Sequence, residues 1–442
     1  MSAEAGSACL HVGAPEAVSS HSADAASGMT EGMARAVHRL MFAYIAILGC
    51  EAALRWALSK LGADPAIYLK DLLLYSAGGL SIWIGARART DIRPFAWLVW
   101  TFMVLILAAA AGGLALAQVL FGLKVWLSFV VGFLLVDSGA IRALHQPRWW
   151  AALWCLLCFG IVLNHFKRMP WAGMSAQIGG ATIEVNRDWN TWGIQRASGF
   201  SRSSFDGAIL LMLLHVYLTS FTRSARLRGC LVLGSTLAIG LTTTKGALGA
   251  LFCTFPFLIF FSPRAGLMGL VRWPALLLLA SFALVGLLAP ALSTQFSAPS
   301  FTPRSPEAIL FASLADRGWT TWPSAFALMD SWQVVFGRGL GAIGAAQNQF
   351  EQALFCPADN LFVYLFVTGG LIGAALYLAM PLLALRLSFA NAIHRALFLL
   401  LVLLYSYGMT ASIIDNSPLA LACGVALAAL LPGANKTTQD AR

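Results

Sequence analysis

Residues 95–117 read FAWLVWTFMVLILAAAAGGLALA, without one charged side chain. A helix needs about 20 apolar residues to cross a bilayer core of about 30 Å, and this run supplies them. Trp97 and Trp100 stand near one end, where indole rings favour the lipid–water boundary. Working outward, similar runs recur near 40–58, 66–86, 125–141, 149–165, 205–222, 229–243, 246–262, 273–291, 360–385, 396–414 and 417–432. The whole chain has 442 residues, 59% of them hydrophobic and only 11% charged, with 15 Trp and 28 Phe. A soluble domain cannot bury that much apolar surface. The expected fold is all-α: a polytopic membrane protein with about 12 transmembrane helices and two large outer loops, formed by a single membrane domain over 38–432.

The net charge of +10 raises a nucleic-acid reading, which position excludes: most Lys and Arg flank the apolar runs. With a cytoplasmic N-terminus, the inner loops hold Arg87, Arg89 and Arg93; Arg142 and Arg148; Arg223, Arg226 and Arg228; Arg264 and Arg272; Arg386 and Arg395. Each inner loop carries at least two Arg, as the positive-inside rule requires, and both termini fall in the cytoplasm. Residues 1–37, rich in Ala, Ser, Gly and His, read as a disordered tail, and 433–442 as a second cytoplasmic tail. The first apolar run starts near Leu40, so it reads as a retained helix rather than a cleaved signal.

Two outer segments are long, about 166–204 and about 292–359. Loops above about 15 residues are uncommon unless functional or disordered. Both are rich in Trp, Gly and Pro, so short helices resting on the outer face are expected, with SPEAILFASLADRGWTTWPSAFALMDSW (305–332) the best amphipathic stretch. These segments carry Arg196, Arg202, Arg304, Arg317 and Arg338, and Lys245 lies on the same side. Positive charge is disfavoured there, so it needs another reason. The planar guanidinium fork matches phosphate oxygens in pairs, which points to an anionic, lipid-linked substrate; the ordinary alternative is that each Arg pairs with an acid or a lipid headgroup. Acids on that side are Asp316, Asp330, Glu351 and Asp359. Asp359 stands at the start of a span, where a carboxylate also serves as a helix cap.

Other polar residues read as structural. Glu51 and Arg55 are spaced i,i+4 and form a pair, and His215 is a helix-interface histidine. Cys155 and Cys158 sit inside the apolar WCLLCFGIVL with no second ligand pair, so small packing residues are the better reading than zinc or redox chemistry. There is no GxxxxGK[ST], HExxH or DxD, and no cofactor or metal is expected.

Four stretches, RASGFSRSSFDGA (196–208), LTTTKGALGAL (241–251), FGRGLGAIG (336–344) and PADNLFVYLFVTGGLIGA (357–374), resemble in order and spacing the motifs of the O-antigen ligase and polysaccharide polymerase superfamily. The likeness covers roughly residues 190–380. Thr244 and Lys245 stand where the family has Ser and Arg, and Asp359 stands where its ligases carry His. The resemblance implies a metal-independent glycosyltransferase at the outer face of the bacterial inner membrane, using undecaprenyl-diphosphate-linked oligosaccharide. It implies a polymerase of repeat units, with Asp359, Arg196 and Arg317 catalytic and Arg202, Lys245, Arg338 and Asn360 binding diphosphate or glycan. Membrane lipids, a flippase and a chain-length regulator are the implied partners. A ligase that passes the glycan to lipid A core is the runner-up. A lipid-linked oligosaccharide flippase is the alternative from another class, though it should show two similar halves, and no internal repeat is visible.

Overall fold

The computed structural model describes residues 17–87, 92–178, 181–187, 189–191, 194–260, 268–295, 301–302, 305–389 and 391–431. Among them the architecture is a helical bundle: α1 (Ala17–Gly49), α2 (Glu51–Lys60), α3 (Leu69–Arg87), α4 (Arg93–Ala111), α5 (Leu116–Asp137), α6 (Pro147–Phe166), α7 (Ser204–Phe221), α8 (Ala225–Leu241), α9 (Lys245–Phe260) and α10 (Met268–Leu292). The long second loop adds α11 (Pro306–Asp316), a π-helical turn (Arg317–Thr321), α12 (Trp322–Ala327), α13 (Gln333–Phe336) and α14 (Ala345–Phe350). The chain closes with α15 (Leu361–Ala384), α16 (Ala392–Gly408) and α17 (Ser417–Leu430).

Six of the described helices are long and apolar enough to cross a membrane, or seven if the bent pair α1–α2 counts as one span. Shorter apolar helices stand beside them at Lys245–Leu258, Ala392–Gly408 and Ser417–Leu430. The outward side of α4 bears Trp97, Trp100, Met103 and Leu107, all exposed. Water would not tolerate so continuous an apolar face, whereas lipid is its natural solvent, and the chain is a membrane-embedded all-α protein. Small residues let the helices meet closely. A Cβ on Gly132 of α5 would fall on the Leu421 carbonyl of α17, and one on Gly424 would fall on the Phe129 carbonyl, the close approach that membrane bundles exploit.

Four expectations are corrected. Residues 17–37, expected as disordered tail, lie within α1: alanine and methionine favour helix, and the apolar run behind them supplies the nucleus. The first span is not straight; it bends by 82° between Gly49 and Glu51. The helix expected over 95–117 stops at Ala111, where the Gly112–Gly113 pair ends it, and α5 begins at Leu116. Lys124 therefore lies inside α5, where its ammonium pairs with Asp71 at 3.0 Å. Finally, the 166–204 segment forms hairpins rather than helices: β1 (Ser175–Ile178) with β2 (Ala181–Glu184), and β3 (Asn190–Thr191) with β4 (Ile194–Gln195), both antiparallel. Ile178 pairs with Ala181, and the two residues between them in the sequence are both glycine, the composition that two-residue hairpin loops favour.

The 292–359 segment is built of short helices as expected, with Trp322 and Ala325 buried and Phe311 and Leu314 exposed. Glu51 and Arg55 do pair, at 2.6 Å, and Lys70 adds a second cation at 2.8 Å. His215 is fully buried, with Nδ1 3.1 Å from Ser235 Oγ.

Candidate functional site

The bend in the first span is held open by the segment Arg196–Ser203. Ser201 Oγ donates to the Gly49 carbonyl (2.9 Å), and the Phe200 carbonyl accepts from the Ala52 N–H (3.0 Å). Backbone groups released by the bend are thereby satisfied, as a buried backbone demands. From α6, Asn164 Oδ1 accepts the N–H groups of Ser198 (2.8 Å) and Gly199 (3.0 Å). Gly199 has φ +62°, and a Cβ there would lie 2.8 Å from the Ile161 nitrogen, so only glycine fits. Asn186 Nδ2 donates to Ser198 Oγ, the Ser201 carbonyl and the Arg202 carbonyl at 3.0–3.2 Å. Ser203 then caps α7, accepting from the Asp206 N–H at 3.2 Å.

Two arginines ride on this rigid turn. The Arg196 guanidinium lies over Trp189 (5.9 Å) and Phe205 (5.6 Å), a stacking that steadies the cation while leaving its N–H edges available. The Nε atoms of Arg196 and Arg202 are buried and have no hydrogen-bond partner among the described residues. Burial pulls both guanidinium groups below the ordinary arginine pKa, and for Arg202 the nearby Glu51 and Asp206 carboxylates offset it only in part.

Lys245 opens α9, immediately after the strained Thr243 (φ +54°) and Thr244. Its exposed ammonium feels the charges of Arg196 and Arg317. Lys245 therefore lies within electrostatic range of Arg196 and of Arg317, cations that come from two other segments. Arg317 opens the π-helical turn, a feature often found at functional sites, and its Nε donates to Asp359 Oδ2 at 3.0 Å. Ala358 and Asp359 both have positive φ, +57° and +47°, the kind of strained backbone that concentrates at working sites.

Asp359 is not the helix cap. That role belongs to Asn360, whose Oδ1 accepts from the Val363 N–H (3.1 Å) while Nδ2 donates to the carbonyls of Gly286 (3.0 Å) and Met409 (3.3 Å). Asn360 is fully buried and its amide is committed to the scaffold, which leaves it no free group for a glycan. Arg338 is likewise internal. Its fork donates to the Ala342 carbonyl (3.1 Å) and Glu351 (3.2 Å), and Gln118 holds the other Glu351 oxygen at 2.9 Å. This triad locks the Gly337–Gly341 stretch, whose Arg338 and Gly339 N–H groups donate to the Val367 and Thr368 carbonyls (2.8 and 3.0 Å) at the break of α15. Arg304 lies outside the described residues.

Sequence reasoning missed three site residues. Asp206 accepts from Ser203 Oγ (2.7 Å) and Asn416 Nδ2 (3.2 Å). Asp415 accepts from the Ala345 N–H (3.2 Å), Tyr364 (3.3 Å) and Ser412 (3.0 Å). Its carboxyl rests on Gly344, where any Cβ would strike Oδ2. Burial, then the nearby Asp359 charge, pushes its pKa up to about 6. Tyr407 of α16 feels the charges of Asp206, Asp359 and Arg317, and its ring edge stands 3.3 Å from where a Gly246 Cβ would be. A signal for Asp415 was present: ASIIDNSPLA repeats the Asp-Asn pair of PADNLF. Asn416 caps α17 (3.3 Å to the Leu419 N–H) as Asn360 caps α15, and the preceding Asp points elsewhere in each case.

One end of the bundle thus pairs Arg317 with Asp359, brings Lys245 within electrostatic range of Arg317 and Arg196, and sets Asp206 and Asp359 near Tyr407, with Asp415 near Asp359. Such a group can hold a multiply charged anion and accept a proton close to it. No protein-family model matches the chain, and neither a curated protein nor a solved structure matches it.

Proposed function

We propose that the protein is a glycosyltransferase that polymerises lipid-linked oligosaccharide repeat units. On this reading the chain crosses the bacterial inner membrane about twelve times, with both termini cytoplasmic and the 166–204 and 292–359 segments periplasmic. The donor is an undecaprenyl-diphosphate-linked glycan. Arg196, Lys245 and Arg317 hold the diphosphate, and Asp359 orients or deprotonates the acceptor hydroxyl. The observation that carries the reading is the 3.0 Å pair of Arg317 with Asp359, with Lys245 within electrostatic range of both Arg317 and Arg196. Cations on a leaving diphosphate stabilise charge that grows in the transition state, and a carboxylate assists a weak hydroxyl nucleophile. The cationic segments flank apolar helices, which suits a substrate whose headgroup is charged and whose tail is lipid.

Purified protein supplied with lipid-linked repeat units is the test. A ladder of products supports the polymerase. Transfer only to lipid A core replaces it with a ligase, and movement of substrate across the bilayer without new product replaces it with a transporter.

A further inference from the structure

Farther back along α1, before the apolar run that begins near Leu40, lies a second cationic feature, unconnected with the proposed reaction. Arg35 and Arg39 are one helical turn apart and both exposed. Fourteen residues separate Arg35 from Gly49, a distance of about 21 Å along a helix, so this feature is most of a membrane core away from the Arg196 turn. Two cavities adjoin there. One, of about 480 Å³, is lined by Gly32, Arg35, Ala36, Arg39 and Leu40. The other, of about 380 Å³, shares both arginines and adds His38, Phe42, Gln146 and Trp149.

Like charges at i,i+4 repel, and none of the ion pairs formed between the described side chains includes Arg35, Arg39 or the neighbouring Arg148. His38 is only 6% exposed, lines the second cavity, and its Nδ1 has no hydrogen-bond partner among the described residues. A buried polar atom without a partner is destabilising, so a ligand that supplies one is favoured. Beside the cations stands an aromatic wall: Phe42 packs on Trp149 (5.7 Å) and Trp150 (5.3 Å), and His38 meets Trp150 edge-on (6.2 Å). Trp149 is exposed, as interfacial indoles are.

We propose that Arg35, His38 and Arg39 bind the phosphodiester headgroup of an anionic phospholipid, with Phe42 and Trp149 lying along its acyl chain. Paired guanidinium forks suit phosphate oxygens, and basic pockets between membrane helices take such headgroups. An apolar wall continuous with the cations selects a lipid over a free phosphate.

The test is native mass spectrometry of the full-length protein in neutral detergent, titrated with phosphatidylglycerol or phosphatidylcholine. The wild type should bind phosphatidylglycerol more tightly, and Arg35→Gln with Arg39→Gln should weaken that binding by about 30-fold, from about 1 kcal/mol per cation. Both side chains are exposed, so the melting temperature in lipid-free detergent should not change. Arg223→Gln with Arg226→Gln, at the exposed start of α8, should leave the preference intact. An equal loss in that control would mean general surface attraction and overturn the site. Equal binding of the two lipids would overturn it as well. Inorganic phosphate at millimolar concentration should not displace the lipid; full displacement would make free phosphate the ligand.

Discussion

Arg317 and Asp359, 42 positions apart in the sequence, meet through one contact of 3.0 Å between Nε and Oδ2, with side chains 23% and 31% exposed. A pair this exposed contributes at most about 1 kcal/mol, so its value to the fold is small. Its value is positional. Asn360 takes over the cap of α15, and Asp359 is turned by a left-handed backbone toward the cation.

Asp359→Asn should therefore leave membrane abundance near wild type while abolishing product. Asparagine tolerates positive φ at least as well as aspartate, so the backbone is kept and only the charge is lost. Asn360→Ala should do the reverse: removing a cap costs about 1 kcal/mol, and two buried carbonyls lose their donor. Its activity per folded molecule should be retained while its abundance falls. Quantitative membrane blots beside a product assay separate the two. Full activity in Asp359→Asn would move the acceptor-orienting role to Asp206 or Asp415.

For the arginines, Arg196→Ala and Arg317→Ala should each lower the rate by about 10²–10³, the loss typical of one donor to a developing anion. Arg196→Lys should lose nearly as much, because a point charge neither stacks on Trp189 and Phe205 nor presents a fork. Steady-state rates on lipid-linked substrate check this. Alanine variants that are inserted and fully active would place the site elsewhere.

Arg338 has a different prediction. Its loss removes the cation from the half-buried Glu351 and leaves the Ala342 carbonyl without its donor, a loss of about 1–3 kcal/mol. Arg338→Ala should fail to accumulate, and Arg338→Met with Glu351→Gln should recover much of the stability, since the uncompensated charge is gone. Thermal unfolding in detergent measures both. An Arg338→Ala protein that is stable but inactive would return Arg338 to the binding site.

Much of the bundle was legible because lipid leaves a simple signature. An uncharged apolar run such as that of α4 needs no tertiary information, though the Gly112–Gly113 stop within 95–117 was not read. Which of Asp359 and Asn360 caps α15 was not legible, since the φ of a single residue decides which of two neighbours faces the helix end. Arg338 looked like Arg317 in sequence. Only packing shows that Glu351 and Gln118 enclose one and not the other. Asp206 and Asp415 were missed because each reads as an ordinary first-turn or loop acid until Asn416 and Tyr364 are brought against them. The hairpins over 175–184 and 190–195 were missed for a plainer reason: their strands are short and sit in a loop otherwise rich in Trp and Gly.

Asp415 gives the pH dependence. Its carboxyl titrates at about 6 in the folded protein against an ordinary 3.8, because burial disfavours the anion. Between those values the folded state holds a proton that the unfolded chain has released. Its contribution to stability is present below about pH 3.8, falls as pH rises to about 6, and is level above. Melting temperatures of wild type and Asp415→Asn across this window should diverge, with the wild type losing ground as pH rises. Parallel curves would mean that Asp415 is ionised throughout.

The central claim is that Arg196, Lys245 and Arg317 hold a lipid diphosphate. Its most direct measurement is the affinity of full-length protein, in detergent, for undecaprenyl diphosphate and for undecaprenyl monophosphate. Paired charge-assisted contacts to the second phosphate should favour the diphosphate by about tenfold or more, and Arg196→Ala with Arg317→Ala should erase that preference. Equal affinity for the two lipids in the wild type, or an unchanged preference in the double variant, would contradict the account.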